Sequence, residues 1–193
     1  MHMFNMAALG LFVFYQNISK GVLTNMSFFK KLFGGKEEVS KDGAIIAPLT
    51  GRFVPLEEVP DPVFAQKMMG DGFAIEPTEG TVVSPVEGEI VQFFPTKHAI
   101  GIKTASGVEV LIHVGLETVS MNGEGFEGHV QVGDKVKVGT KLISFDLALI
   151  AEKAKSTVTP IIMTNGDVLE TFTKETVSEA VAGDTTLATF IVK

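Results

Sequence analysis

From residue 44 onward, glycines cut this chain into short runs rich in Val, Ile and Phe, several with apolar residues at alternate positions. That punctuation constrains the fold more than any other feature. Runs of four to eight residues between turn signals are too short for stable helices and long enough for strands. Strands are predicted near 44–49, 51–54, 73–76, 81–83, 88–94, 97–104, 108–114, 128–132, 135–138, 141–145, 158–163, 167–171 and 187–192. So many short strands imply an all-β antiparallel sandwich or barrel with only short helical segments. Two stretches depart from the period of two. DPVFAQKMM (61–69) reads as one or two helical turns entered through Pro62. DLALIAEKAK (146–155) reads as a helix capped by Asp146, with Leu147, Ile150 and Ala154 along one face.

Composition excludes several functions. Among 193 residues, 45% are apolar and 20% charged, enough to build a core. The 16 basic and 23 acidic residues leave a net charge of −7, which argues against nucleic acid as the partner. The absence of cysteine removes a disulfide framework, a Cys-ligated zinc and a thiol nucleophile. No apolar stretch reaches the roughly 20 residues of a membrane span. The expectation is a cytoplasmic protein, at most peripheral at the inner face of the membrane.

Charge also divides the chain. Residues 1–36 carry Lys20, Lys30, Lys31 and Lys36 and no acid, so the remainder holds 12 bases and 23 acids. The folded domain is therefore placed at 41–193, and its acidity suits either a basic partner surface or plain solubility. Residues 1–25 lack the basic n-region and cleavage site of a secretory signal, and Met26 opens a natural-looking start. They are expected to be a leader translated ahead of that start. Residues 26–40 form a short N-terminal segment. Within it Ser27 can cap a helix with Phe28, Phe29, Leu32 and Phe33 on one side and Lys30 and Lys31 on another, which would give 27–36 weak affinity for anionic lipid.

An internal echo links SPVEGEIV (84–91) with EGHVQVGDKVKVGTKLISFD (127–146), each reading strand, glycine turn, strand. The second stretch resembles the one that closes barrel-sandwich hybrid folds, built on a duplicated hybrid motif. Of four histidines, His2 lies in the leader and His129 reads as a surface residue. His98 and His113 lie on two runs that flank Thr104–Gly107 and should form a hairpin. With an Ala105–Ser106 loop, facing residue numbers add to 211, and His98 faces His113. With a Ser106–Gly107 loop they become diagonal neighbours on one face, alongside Ile100, Ile102 and Leu111. Only an odd-length loop would separate them. Two facing imidazoles suppress each other's protonation, which leaves at least one neutral as a nucleophile, a base or a metal ligand.

GVEVLIHVGLETV (107–119) resembles the signature around the phosphorylated histidine of glucose-type enzyme IIA proteins of the bacterial sugar phosphotransferase system. Gly107, Val110, Leu111, Ile112, His113, Val114, Gly115, Leu116, Thr118 and Val119 fill its fixed places. The resemblance extends through IIAPLTG (45–51), VPDPVFAQKMMGDGFAIEPTEG (59–80), TKHAIGI (96–102), NGEGF (122–126), VKVG (136–139) and FDLALIAEKAKSTVTPI (145–161). It covers nearly all of 43–193.

The resemblance implies a phosphocarrier that takes a phosphoryl group from the small protein HPr and passes it to a cysteine on the IIB domain of a sugar permease. His113 is then the nucleophile and His98 its assisting partner. Thr96, two residues from His98, would hold that imidazole. Val63, Phe64 and Phe94 match apolar positions ringing the family's site, and Asp61 and Glu117 match its acidic rim. Gly115 would leave backbone room for a partner. No cofactor is required. His98 and His113 could bind zinc only with a third ligand from a partner. Two other readings compete: a regulatory module that binds permeases or metabolic enzymes, and a lipoyl- or biotin-carrier domain. The second lacks a lysine at a recognisable hairpin tip.

Overall fold

The computed structural model describes residues 40–193 of the chain. The stretches expected to be a leader (1–25) and an amphipathic segment (27–36) lie outside the described residues. Fourteen strands follow: β1 (Asp42–Ile46), β2 (Gly51–Pro55), β3 (Asp71–Pro77), β4 (Thr81–Val83), β5 (Gly88–Phe93), β6 (Ala99–Lys103) and β7 (Glu109–His113). The second half adds β8 (Phe126–Gly128), β9 (Lys135–Val136), β10 (Lys141–Phe145), β11 (Thr159–Met163), β12 (Leu169–Lys174), β13 (Glu179–Ala180) and β14 (Thr186–Val192). The α-helices among the described residues are α1 (Pro62–Ala65) and α2 (Leu147–Lys153). Every strand pairing is antiparallel.

The largest sheet runs β13-β2-β3-β11-β7-β6-β5-β9, and two three-stranded sheets run β1-β14-β12 and β4-β10-β8. This is the antiparallel β-sandwich expected from the glycine punctuation. The two stretches of the internal echo meet: Ser84 N–H donates to Thr140 C=O, Gly139 N–H donates to Ser84 C=O, and β5 pairs with β9.

All three sheets feed one core. Ile45, Phe73, Ile90, Ile100, Ile112, Ile143 and Phe190 are buried in it. Each such side chain contributes about 1.5–3 kcal/mol by leaving water. The large sheet also covers a second, smaller cluster on its other face, made of Val54, Leu56, Phe64, Ala74, Ala99, Leu111, Leu116 and Ile162. Strand alternation sorts β7 between the two: Val110 and Ile112 enter the main core, while Leu111 enters the second cluster. His113 has the parity of Leu111 and so emerges on the smaller face.

Both helices form inside the predicted stretches, and their ends have visible causes. Asp61 caps α1 by accepting the Val63 N–H at 2.8 Å, with Pro62 in the first turn. The helix stops because Lys67 adopts φ 57°, a left-handed conformation that cannot continue it. In α2 the Asp146 cap forms as expected, accepting the Leu149 N–H at 3.0 Å, and Ile150 is buried. The strand predicted at 128–132 is instead β8, ending at Gly128, and the two-residue β13 was too short for any pattern to reveal.

Candidate functional site

The His98–His113 pair forms, but the hairpin arithmetic that predicted it is corrected. The loop between β6 and β7 holds five residues, 104–108. Lys103 faces Glu109 and Ala99 faces His113, so facing numbers add to 212. Thr104 N–H donates to Val108 C=O at 2.9 Å, Val108 N–H donates to Thr104 Oγ1 at 3.0 Å, and Gly107 at φ +92° lets the odd loop close. By strand parity His98 should face the main core with Ile100 and Ile102. It does not, because β6 starts only at Ala99. Lys97 takes φ 58° in the preceding turn, and the backbone of His98 joins the neighbouring strand only through Val114 N–H donating to its carbonyl at 2.7 Å. Freed from the pleat, the His98 ring meets that of His113 edge to face, with centroids 4.8 Å apart. Ile100 and Ile102 lie on the opposite face of the sheet, while Leu111 shares the site's face.

Each imidazole is tied through Nδ1. His113 Nδ1 lies 2.8 Å from the Gly115 carbonyl. A carbonyl only accepts, so that nitrogen carries the proton and Nε2 keeps its lone pair. His98 Nδ1 lies 2.5 Å from Thr96 Oγ1, a group that can either donate or accept. Phe94 packs on His98 at 5.3 Å between centroids, and Phe64 packs on His113 at 5.5 Å. His98 is buried and His113 half-buried.

Both rings are held uncharged. Burial, and then repulsion from His113, pushes His98 down to about 4. Burial also lowers His113, although its bond to the Gly115 carbonyl and the charge of Asp61 pull the other way.

Of the other predicted residues, Asp61 and Gly115 act on His113 itself. Asp61 acts on His113 electrostatically while capping α1. Val63 is exposed on the same helix, near the exposed Met68 and Met69. Glu117 stands exposed at φ 61° after Gly115, with Lys155 Nζ 3.7 Å from its carboxylate. Gly115 is buried, and its missing side chain points inward. A Cβ there would lie 2.7 Å from Thr118 Cγ2 and 2.9 Å from the Ser156 carbonyl, so the glycine makes room for the protein itself rather than for a partner. His129 is exposed and bonds Ser144, away from the pair. Among the described residues no cluster of three His, Cys, Asp or Glu side chains could hold a metal, so a cation on the two free Nε2 atoms would need an outside ligand. Sequence reasoning missed Thr159, which accepts the Gly115 N–H at 3.2 Å. Its only signal was a polar residue at a buried strand position.

Fold and site together define a class: an antiparallel β-sandwich with two neutral histidines facing each other on one side of its largest sheet. Residues 43–169 match the family described as phosphoenolpyruvate-dependent sugar phosphotransferase system, EIIA 1. The chain is 58% identical over 171 residues to the PTS system glucose-specific EIIA component of Halalkalibacterium halodurans, across 86% of this chain and 99% of that protein. It is 66% identical over 152 residues to the PTS system glucose-specific EIIA component of Bacillus cereus, across 79% and 91%. The solved glucose permease IIA from Mycoplasma capricolum superposes with a TM-score of 0.70 at 43% identity, covering 78% of this chain and 96% of that one. The chain therefore belongs to the EIIA 1 family and is a component of the sugar phosphotransferase system.

Proposed function

We propose that this protein is a glucose-type phosphocarrier that accepts a phosphoryl group on His113 Nε2 from phosphorylated HPr and delivers it to the cysteine of a permease IIB domain. The observation that carries this reading is the bond from His113 Nδ1–H to the Gly115 carbonyl, which leaves Nε2 unprotonated beside His98. In the first step the Nε2 lone pair attacks phosphorus as the donor's N–P bond breaks. The positive charge gained by the His113 ring is stabilised by the carbonyl at Nδ1. In the second step the cysteine thiolate attacks phosphorus, the Nε2–P bond breaks, and the electron pair returns to Nε2. His98 donates a hydrogen bond to the phosphoryl oxygens, and Thr96 orients it. Phe64, Phe94 and Val63 form an apolar seat for either partner. Asp61 and Glu117 supply negative charge at its rim for basic groups on the donor. Among the described residues no helix is long and apolar enough to cross a membrane. The reading places the protein on the cytoplasmic side, where donor and permease domain meet. Zinc enters only as an ion whose third ligand a partner would bring.

The test is incubation with phosphorylated HPr followed by intact-mass measurement. A gain of one phosphoryl group, lost in acid, is expected. No gain at any donor concentration overturns the reading.

A further inference from the structure

The buried polar side chains among the described residues are Ser84, His98, Thr118 and Thr159. Two of them, Thr118 and Thr159, are fully buried and converge on one peptide plane. Thr118 Oγ1 donates to the Val114 carbonyl at 2.7 Å, and the Gly115 N–H donates to Thr159 Oγ1 at 3.2 Å. Thr159 Oγ1 spends its own proton on the Thr157 carbonyl at 3.0 Å. Hydroxyls thus hold both ends of the Val114–Gly115 peptide. The next plane is held too: Leu116 N–H donates to the Ser156 carbonyl at 2.9 Å, and the Gly115 carbonyl accepts from His113.

A valine at either threonine position would fill the same volume without a polar group to desolvate, so the hydroxyls need a reason. The sheet supplies one. The β7–β11 ladder pairs Met163 with Val110 and Ile161 with Ile112, and continuing that register sets Thr159 opposite Val114. β7 has ended at His113, and the chain turns away through Gly115 at φ +69°. Where backbone pairing stops, a side-chain hydroxyl takes the N–H that the ladder no longer satisfies. The two planes meeting at the Gly115 Cα then fix where its carbonyl points, and that carbonyl selects which ring nitrogen of His113 holds the proton.

We propose that Thr159, together with Thr118, is a positioning residue for His113: the two hydroxyls lock the Val114–Gly115 peptide so that the next carbonyl selects the Nδ1–H tautomer and leaves Nε2 as the nucleophile. The nucleophilic half of this statement rests on the phosphocarrier reading. The tautomer half is testable without any phosphoryl transfer.

The experiment is ¹⁵N-imidazole NMR of the unphosphorylated full chain, paired with single-turnover acceptance from phosphorylated HPr. The wild type should show His113 protonated at Nδ1. Thr159→Val should populate the Nε2–H tautomer and slow acceptance about tenfold, the kinetic equivalent of one lost neutral hydrogen bond. Thr159→Ser keeps the hydroxyl and should restore both readouts to within about twofold, an energy well below one such bond. Thr118→Val opens the other end of the same plane and should shift the tautomer in the same direction; it carries the test if Thr159→Val does not fold. A valine variant with wild-type tautomer and rate overturns the proposal. So does a serine variant as impaired as the valine one, since packing rather than the hydroxyl would then matter. A wild type that never accepts phosphate removes the carrier reading and leaves the tautomer comparison intact.

Discussion

His113 closes a regular strand, and its ring is tied to a backbone carbonyl held in place by β11 and by the turn after β7. His98 stands in the turn before β6, and its ring is tied to a hydroxyl only two residues away. The contrast separates two kinds of control. A carbonyl can only accept, so it dictates one tautomer. A threonine hydroxyl rotates and can donate or accept, so His98 can change which nitrogen bears the proton without moving its ring. The first arrangement suits a residue whose free nitrogen must always be the same one. The second suits a residue that responds to what its neighbour carries. With the site empty, burial and His113 hold His98 neutral. A phosphoryl dianion on His113 would favour the charged form, so the assisting residue becomes a stronger donor when there is something to assist.

Removing the nucleophile should break the comparison most completely. His113→Ala is expected to abolish phosphorylation by the donor, read as the absence of any mass gain. A phosphoryl group found on His98 in that variant would mean the two roles are interchanged. Gly115→Ala attacks the support instead. The left-handed φ and the contacts with Thr118 and the Ser156 carbonyl should together cost about 2–4 kcal/mol in a denaturant titration. A midpoint equal to the wild type's would show that the turn relaxes freely and that the clamp is loose.

His98→Gln probes the adaptable partner. Glutamine keeps a donor of similar reach but cannot take up a proton. Acceptance on His113 should persist, while onward transfer to the IIB cysteine should fall by roughly 10²-fold. Equal loss in both half-reactions would make His98 a shared electrostatic element rather than one that serves departure. Near wild-type transfer onward would reduce it to a spacer.

These contrasts were unevenly visible before the structure. The sandwich was legible because glycine turns and the period-two pattern are local signals, and β7 reads directly as EVLIH. The histidine contact was anticipated through a wrong register. Nothing in TASGV says that Thr104 and Val108 close the loop with Gly107 in a left-handed conformation, and the resulting odd loop should have parted the two rings. A second unforeseen feature, the left-handed Lys97, brought them back together. Both features are backbone choices made by non-local packing. The clamp was invisible for the same reason. Thr159 lies 44 residues from the amide it holds, and a threonine in STVTPII looks like any strand residue until β11 is laid beside β7. Gly115 was noticed, but the side of the chain that needed the space was not readable from its neighbours.

The smallest expected effect is a flat pH profile. Both histidines have their pKa lowered in the folded protein, His98 to about 4 and His113 below the ordinary 6.5. Acceptance needs neutral His113, so its rate should change by less than about twofold between pH 8 and 6.5, where an ordinary imidazole would already be half protonated. Stability follows the same protons. For His98, between pH 6.5 and 4 the unfolded chain binds its proton more readily than the folded one, so this contribution is complete above pH 6.5 and declines as pH falls toward 4; the contribution of His113 has the same sign. An NMR titration of the two rings, run beside chemical denaturation at each pH, checks both statements. If either ring titrates at 6.5 or above in the empty site, burial does not govern the pair. The neutral resting state from which the contrast between His113 and His98 was built would then be lost.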